Sequence, residues 1–170
     1  TRPTLRHVCD TYSDCAHEKL LSHPVGRNWS GVRYGGGKLF YFGGGHSGNA
    51  GNDVELYDAS TNTWTQQYRP EGVPPECFAR PAIDHPACII PEGGRSSRVP
   101  TPGGRPYVEH AYQKIAYDGL RGHFVAGLDS GTWAFDEVQG WQLLTQELPP
   151  SFHDPRALML FDPGVGTVIW

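Results

Sequence analysis

The sequence has no apolar run approaching the roughly 18 residues that a membrane-spanning helix requires, so it offers no membrane span. Its 14 Lys and Arg residues are scattered, and 18 Asp and Glu leave a net charge of −4. No basic stripe tracks a phosphate backbone, which argues against nucleic-acid partners. There is no Gly-x-x-x-x-Gly-Lys phosphate loop. Asn49, Asn52, Asp53 and Asp58 fit no EF-hand spacing and read as turn formers. Cysteine is sparse: Cys9 and Cys15, then Cys77 and Cys88, at spacings wider than a zinc knuckle uses. The opening Thr1-Arg-Pro-Thr carries neither Met nor an apolar core, so Thr1 is expected to be a processed N-terminus or the start of an excised piece.

What is abundant is glycine, proline and aromatic residue. Among 170 residues there are 22 Gly and 15 Pro, with 12% Phe, Trp and Tyr. That combination predicts an all-β chain of short strands separated by tight turns. The cysteines form two local pairs, and of three possible connectivities Cys9–Cys15 with Cys77–Cys88 is the simplest. Disulfides there would imply an exported protein, extracellular or periplasmic; four reduced thiols would imply a reducing compartment. Asn28-Trp29-Ser30 has the form of an N-glycosylation acceptor.

A strand–turn–strand unit recurs three times. Val32-Arg-Tyr34 leads through glycines into Leu39-Phe-Tyr-Phe-Gly43. Ile115-Ala-Tyr117 leads through Asp118–Gly122 into His123-Phe-Val-Ala-Gly127, and Ala157–Phe161 leads through Asp162–Gly166 into Thr167–Trp170. A second unit follows the first two copies: Val54-Glu-Leu-Tyr-Asp58 then Trp64, and Thr132-Trp-Ala-Phe-Asp136 then Trp141. Residues 39–42 are apolar on both faces, as a strand sandwiched between sheets must be. Trp64 and Trp141 are expected to fill the wide outer layer between sheets. Tyr34 to Tyr117 is 83 residues and Tyr117 to Phe161 is 44. The second interval approaches one propeller blade of about 50 residues; the first carries an excess at 69–107. That excess is proline-rich, holds Cys77 and Cys88, and reads as a long disulfide-tied insertion.

Gly43-Gly-Gly45, Asn52-Asp53-Val54, Tyr57-Asp58, Thr61 and Trp64 together resemble the kelch motif of kelch-repeat and galactose-oxidase-like β-propellers. Ala126-Gly127, Gly131–Asp136 and Trp141 resemble a degraded second copy. The pattern Gly43-Gly-Gly-His46…Gly51-Asn-Asp-Val54 is similar to exported bacterial kelch proteins of undetermined function. The fold class expected is thus an all-β, kelch-type β-propeller, partial, of about two and a half blades of four-stranded antiparallel sheet. The layout is an N-terminal extension (1–27), blade one (28–68), the insertion (69–107), blade two (108–147) and the start of blade three (148–170). Propellers close with about four to eight blades, so either a longer protein or assembly with other copies is expected to complete it.

His46, after the glycine cluster, and His110, before Tyr112, occupy equivalent ends of inner strands. With Arg33 and Tyr112 they form a candidate ligand-contacting or acid–base set; the alternative is that they bond loop carbonyls and lock one blade to the next. The remaining histidines, His7, His17, His23, His85 and His153, read as surface residues. Exposed aromatics such as Tyr12, Trp29, Tyr68 and Tyr107 are candidates to stack on sugar rings. The galactose-oxidase resemblance would imply copper held by two His and two Tyr with a free cysteine, but the cysteines here read as paired, and no cofactor is expected. The favoured role is a non-catalytic extracellular binding or structural module with glycan or protein partners. A carbohydrate-active enzyme, oxidase or lyase, built on His46, His110 and Tyr112 is the alternative, and a subunit self-assembling through open blade edges is the third.

Overall fold

The computed structural model describes residues 4–5, 30–43, 52–68, 100–101, 103–106, 110–128, 130–147 and 157–169. Every element among them is a strand. Blade one contains β2 (Ser30–Gly35), β3 (Lys38–Gly43), β4 (Glu55–Asp58) and β5 (Thr63–Gln66), each antiparallel to the next. Blade two repeats this with β6 (Ile115–Asp118), β7 (His123–Leu128), β8 (Gly131–Asp136) and β9 (Gly140–Thr145). A third sheet consists of β10 (Leu160–Asp162) and β11 (Thr167–Ile169). The first strand, β1 (Thr4–Leu5), adds to blade one a fifth member not expected from the sequence, parallel to β5 with Leu5 opposite Trp64. The architecture is the partial propeller: β6 lies between β2 and β10, and these three form the innermost row.

The tight turns share one chemistry. Asp58 Oδ1 accepts the Ser60 amide at 2.8 Å, and Asp118 Oδ1 accepts those of Leu120 and Arg121 at 3.0 Å. Asp136 Oδ1 takes the Val138 and Gln139 amides at 2.7 Å, and Asp162 Oδ1 that of Gly164 at 2.7 Å. An aspartate at the last strand position satisfies amides that the turn would leave bare, which is why the residue recurs there. The β2–β3 turn is made differently: Gly36 and Gly37 both have positive φ, at 57° and 81°, the two-residue hairpin geometry that only glycine adopts freely.

Between blades one and two lies the main core. Phe40, Phe42, Val54 and Leu56 from blade one meet Ile115, Phe124, Trp133, Phe135 and Trp141 from blade two. Phe40 stacks on Phe124 with centroids 4.7 Å apart, and Trp141 meets Phe42 edge-on at 4.9 Å. Such pairs contribute about 0.5–1.5 kcal/mol each beyond burial. The blade two–three joint is smaller and aliphatic, built from Ala116, Val125, Met159 and Val168. Trp141 therefore fills the joint as expected. Trp64 does not: it packs on Tyr57 and Tyr41, on the opposite face of blade one. The odd and even positions of strands point to opposite faces, and opposite Trp64 stands Tyr57, not the buried Leu56.

The innermost strands approach closely because β2 carries glycine where β6 is bulky. A Cβ at Gly35 would lie 2.0 Å from Tyr117 Cγ, so the ring occupies the space a side chain would need. Gly35→Ala is expected to lower stability by about 1–3 kcal/mol through overpacking. Thermal unfolding should show the loss, and Tyr117→Ala in the same chain should recover part of it.

Asp118 also ties blades two and three. Burial opposes its charge, but hydrogen bonds from the Arg121 guanidinium at 2.7 Å and from the Arg121 and Leu120 amides outweigh it, and its pKa falls below the ordinary carboxylate value. Arg121 reaches on to the Gly166 carbonyl at 3.1 Å. A lowered native pKa means that the stabilisation is present above the unfolded value of about 3.9 and is lost as pH falls through the native one. Urea unfolding from neutral pH down to about pH 2 should show Asp118→Asn less stable near neutrality and less sensitive to acid below about pH 4.

Candidate functional site

Strand direction sorts the connections into two ends. The β2–β3, β4–β5, β6–β7, β8–β9 and β10–β11 turns lie at one end. At the other, β3–β4 is joined by 44–54, β5–β6 by 67–114 and β9–β10 by 146–159. Long connections are where binding residues gather on a rigid scaffold, so this loop end is the candidate site.

Its base is a buried polar cluster. Asn52 and Asp53, read from the sequence as turn formers, are fully buried at the entrance to β4. The Asn52 side-chain amide donates to the Pro106 carbonyl at 2.9 Å, and Gln66 donates to Asp53 Oδ2 at 2.8 Å. Tyr68, expected to be an exposed aromatic, is half-buried instead. Its hydroxyl donates to the Asn52 carbonyl at 2.5 Å and accepts from Trp141 Nε1 at 2.6 Å. The Arg105 guanidinium lies over the Tyr68 ring, 4.1 Å from its centroid. Within the stretch read as insertion, the Thr101 amide donates to the Arg105 carbonyl and the Gly104 amide to the Thr101 carbonyl, both at 2.8 Å. One end of the insertion is thus clamped to blade one and, through Trp141, to blade two.

Of the candidate set His46, Arg33, His110 and Tyr112, the structure brings two together. His110 and Tyr112 precede β6, with ring centroids 5.5 Å apart and the Tyr112 hydroxyl 3.5 Å from His110 Nδ1. Tyr112 is held at φ 39°, a left-handed conformation costly for a bulky residue and commonest where function or packing demands it. Its carbonyl faces Gly31 of β2, where a Cβ would come within 2.6 Å. Arg33 does something else: its Nε donates to the Ile115 carbonyl at 2.7 Å, across the blade one–two joint. His46 and the four cysteines, Cys9, Cys15, Cys77 and Cys88, lie outside the described residues.

A separate cleft of about 310 Å³ opens between blade two and the β10–β11 sheet, lined by Asp118, Arg121, His123, Thr132, Leu144 and Thr167 among others. Its carboxylate is engaged in the Asp118 turn, with His123 Nε2 at 3.7 Å. It lies beside β8 and β9, whose counterparts in the third sheet are not among the described strands, and reads as the gap between two sheets of unequal width.

The family comparison falls on blade one. Residues 30–67 match the family model described as Kelch motif. This span runs from β2 through β5, the four antiparallel strands of the blade-one sheet, and with the propeller-like stacking of the three sheets it supports a kelch repeat in blade one. No curated protein and no solved structure matches.

The Tyr68 hydroxyl joins loop, blade one and blade two. Tyr68→Phe leaves the Trp141 N–H and the Asn52 carbonyl without that partner, and a loss of about 1–3 kcal/mol in chemical denaturation is expected. Limited proteolysis should then cut near 100–106 faster than in the wild type.

Proposed function

We propose that this chain is a non-catalytic, exported binding module that contacts a glycan or protein partner through its loop end. The observation that carries this reading is the segregation of the connections: tight turns close one end, and the long connections between described strands leave from the other. The kelch motif supports a propeller binding module in general. The placement of His110, Tyr112 and Arg105 at that end supports polar and aromatic contacts there. Export is supported by the two local cysteine pairs in loop-like sequence.

His110 and Tyr112 also fit the competing reading, acid–base chemistry on a carbohydrate, and one experiment separates the two. The folded chain is screened against neutral and acidic oligosaccharides for binding and for product. Binding without product, weakened about 10-fold or more by His110→Ala or Arg105→Ala and unchanged by Val138→Ala at the turn end, is the expected result. Oligosaccharide conversion abolished by His110→Ala would replace the binding reading with an enzymatic one.

A further inference from the structure

Three blades fix one short turn at the loop end. The Lys114 amide donates to the Ala111 carbonyl at 2.7 Å and closes the turn 111–114 just before β6. Beyond the turn, the Lys114 carbonyl accepts the Gly127 amide of blade two at 2.8 Å. The Gln113 carbonyl accepts the Met159 amide, on the approach to β10, at 3.0 Å. On the third side the Tyr112 carbonyl fits against Gly31 of blade one, where no Cβ has room. The backbone path through 111–114 is thus set by its surroundings and not by the side chain at 112.

That path needs a left-handed residue at its second place. Tyr112 has φ 39°, and Gln113 after it does not share the positive sign. Turns with positive φ at the second position alone are the ones glycine dominates, because a Cβ there crowds the backbone. Where blade one makes a similar demand, at Gly36 and Gly37, the chain supplies glycine. Among the described non-glycine residues, the other with a positive φ is Asn62, a type that tolerates it. A tyrosine at 112 is therefore held at a cost. Core packing does not explain it, since Tyr112 belongs to neither hydrophobic core and is half-buried. Strain of this kind persists where the surroundings over-determine it, and it collects at ligand contacts.

The two rings make a corner. The planes of His110 and Tyr112 meet at 77° with centroids 5.5 Å apart, and both residues are partly exposed. An aromatic ring with an imidazole set across it suits a flat ligand that has an apolar face and a rim of hydroxyls. That is the chemistry of a pyranose. We propose that Tyr112 is the sugar-stacking residue of the loop end, its ring taking the face of a pyranose in a neutral oligosaccharide while His110 bonds a hydroxyl on that sugar's rim. The inference rests on the loop-end binding reading and commits it to a glycan and to one residue.

Two measurements on the whole chain test it, with Tyr112→Gly, Tyr112→Ala and Tyr112→Phe. Glycine ordinarily melts below alanine; here Tyr112→Gly is expected about 2–4 °C above Tyr112→Ala, because only glycine relieves the backbone. In titrations with neutral gluco-, galacto- and xylo-oligosaccharides, Tyr112→Gly and Tyr112→Ala should bind about 10-fold or more weakly than wild type, and Tyr112→Phe should stay close to it. A Tyr112→Gly chain that melts at or below Tyr112→Ala, or fails to fold, overturns the strain on which the inference stands. A folded Tyr112→Gly chain that binds as wild type does, while His110→Ala or Arg105→Ala weakens binding, removes Tyr112 from the contact and leaves the loop-end reading in place. Sugar binding that none of these substitutions weakens overturns both. A wild-type chain that binds none of the neutral sugars overturns the inference, and an acidic oligosaccharide or a protein bound at the loop end instead would keep the broader reading.

Discussion

Everything in this molecule hangs on the seating of one sheet against the next. A four-stranded sheet with apolar side chains on both faces cannot be stable alone in water, because each face needs cover. Blade one finds that cover on one side in the aromatic row of blade two, with Phe40 on Phe124 and Phe42 on Trp141. The narrow end of the joint closes only because Gly31 and Gly35 yield space to Ile115 and Tyr117. The Arg33 guanidinium bonds the Ile115 carbonyl beside that contact, so the inner strands are held by shape and by hydrogen bond together.

The loop end inherits its order from the same joint. Trp141 belongs to the core through its ring and to the polar cluster through its indole N–H, which donates to Tyr68. Tyr68 passes the connection to Asn52, and Asn52 to Pro106. A loop that enters as a long proline-rich excursion is thereby fixed at one end by a chain of hydrogen bonds rooted between two blades. Binding residues positioned this way are preorganised, which lowers the entropy cost of engaging a partner.

The strands and their pairing were legible because their signals are local. Alternation in 39–42, the glycine turn after Gly35, the turn aspartates Asp58, Asp118, Asp136 and Asp162, and Trp64 and Trp141 after two of them are readable one blade at a time, and the strands and turns they mark recur in the structure. The polar cluster was not legible for the opposite reason. Asn52 and Asp53 look like turn residues in sequence, and only the return of the chain at 66–68 and 105–106 buries them. Tyr68 looked like an exposed aromatic because its partner, Trp141, lies 73 residues away. Arg33 was readable as a candidate, but not its bond across the joint, since nothing nearby in sequence reveals that the Ile115 carbonyl is 2.7 Å from its Nε.

By itself, then, the sequence determined the four antiparallel strands of blades one and two, the turns between them and their apolar faces; it did not announce β1, which joins blade one from the N-terminal segment. Only the tertiary structure decided which face meets which. Trp64 and Trp141 are equivalent in sequence, yet among the described residues Trp141 lies in the core between two sheets and Trp64 on the face of blade one turned away from blade two. The reason is physical: strand geometry is written in short-range sterics and hydrogen bonds, whereas burial depends on what the rest of the chain brings alongside.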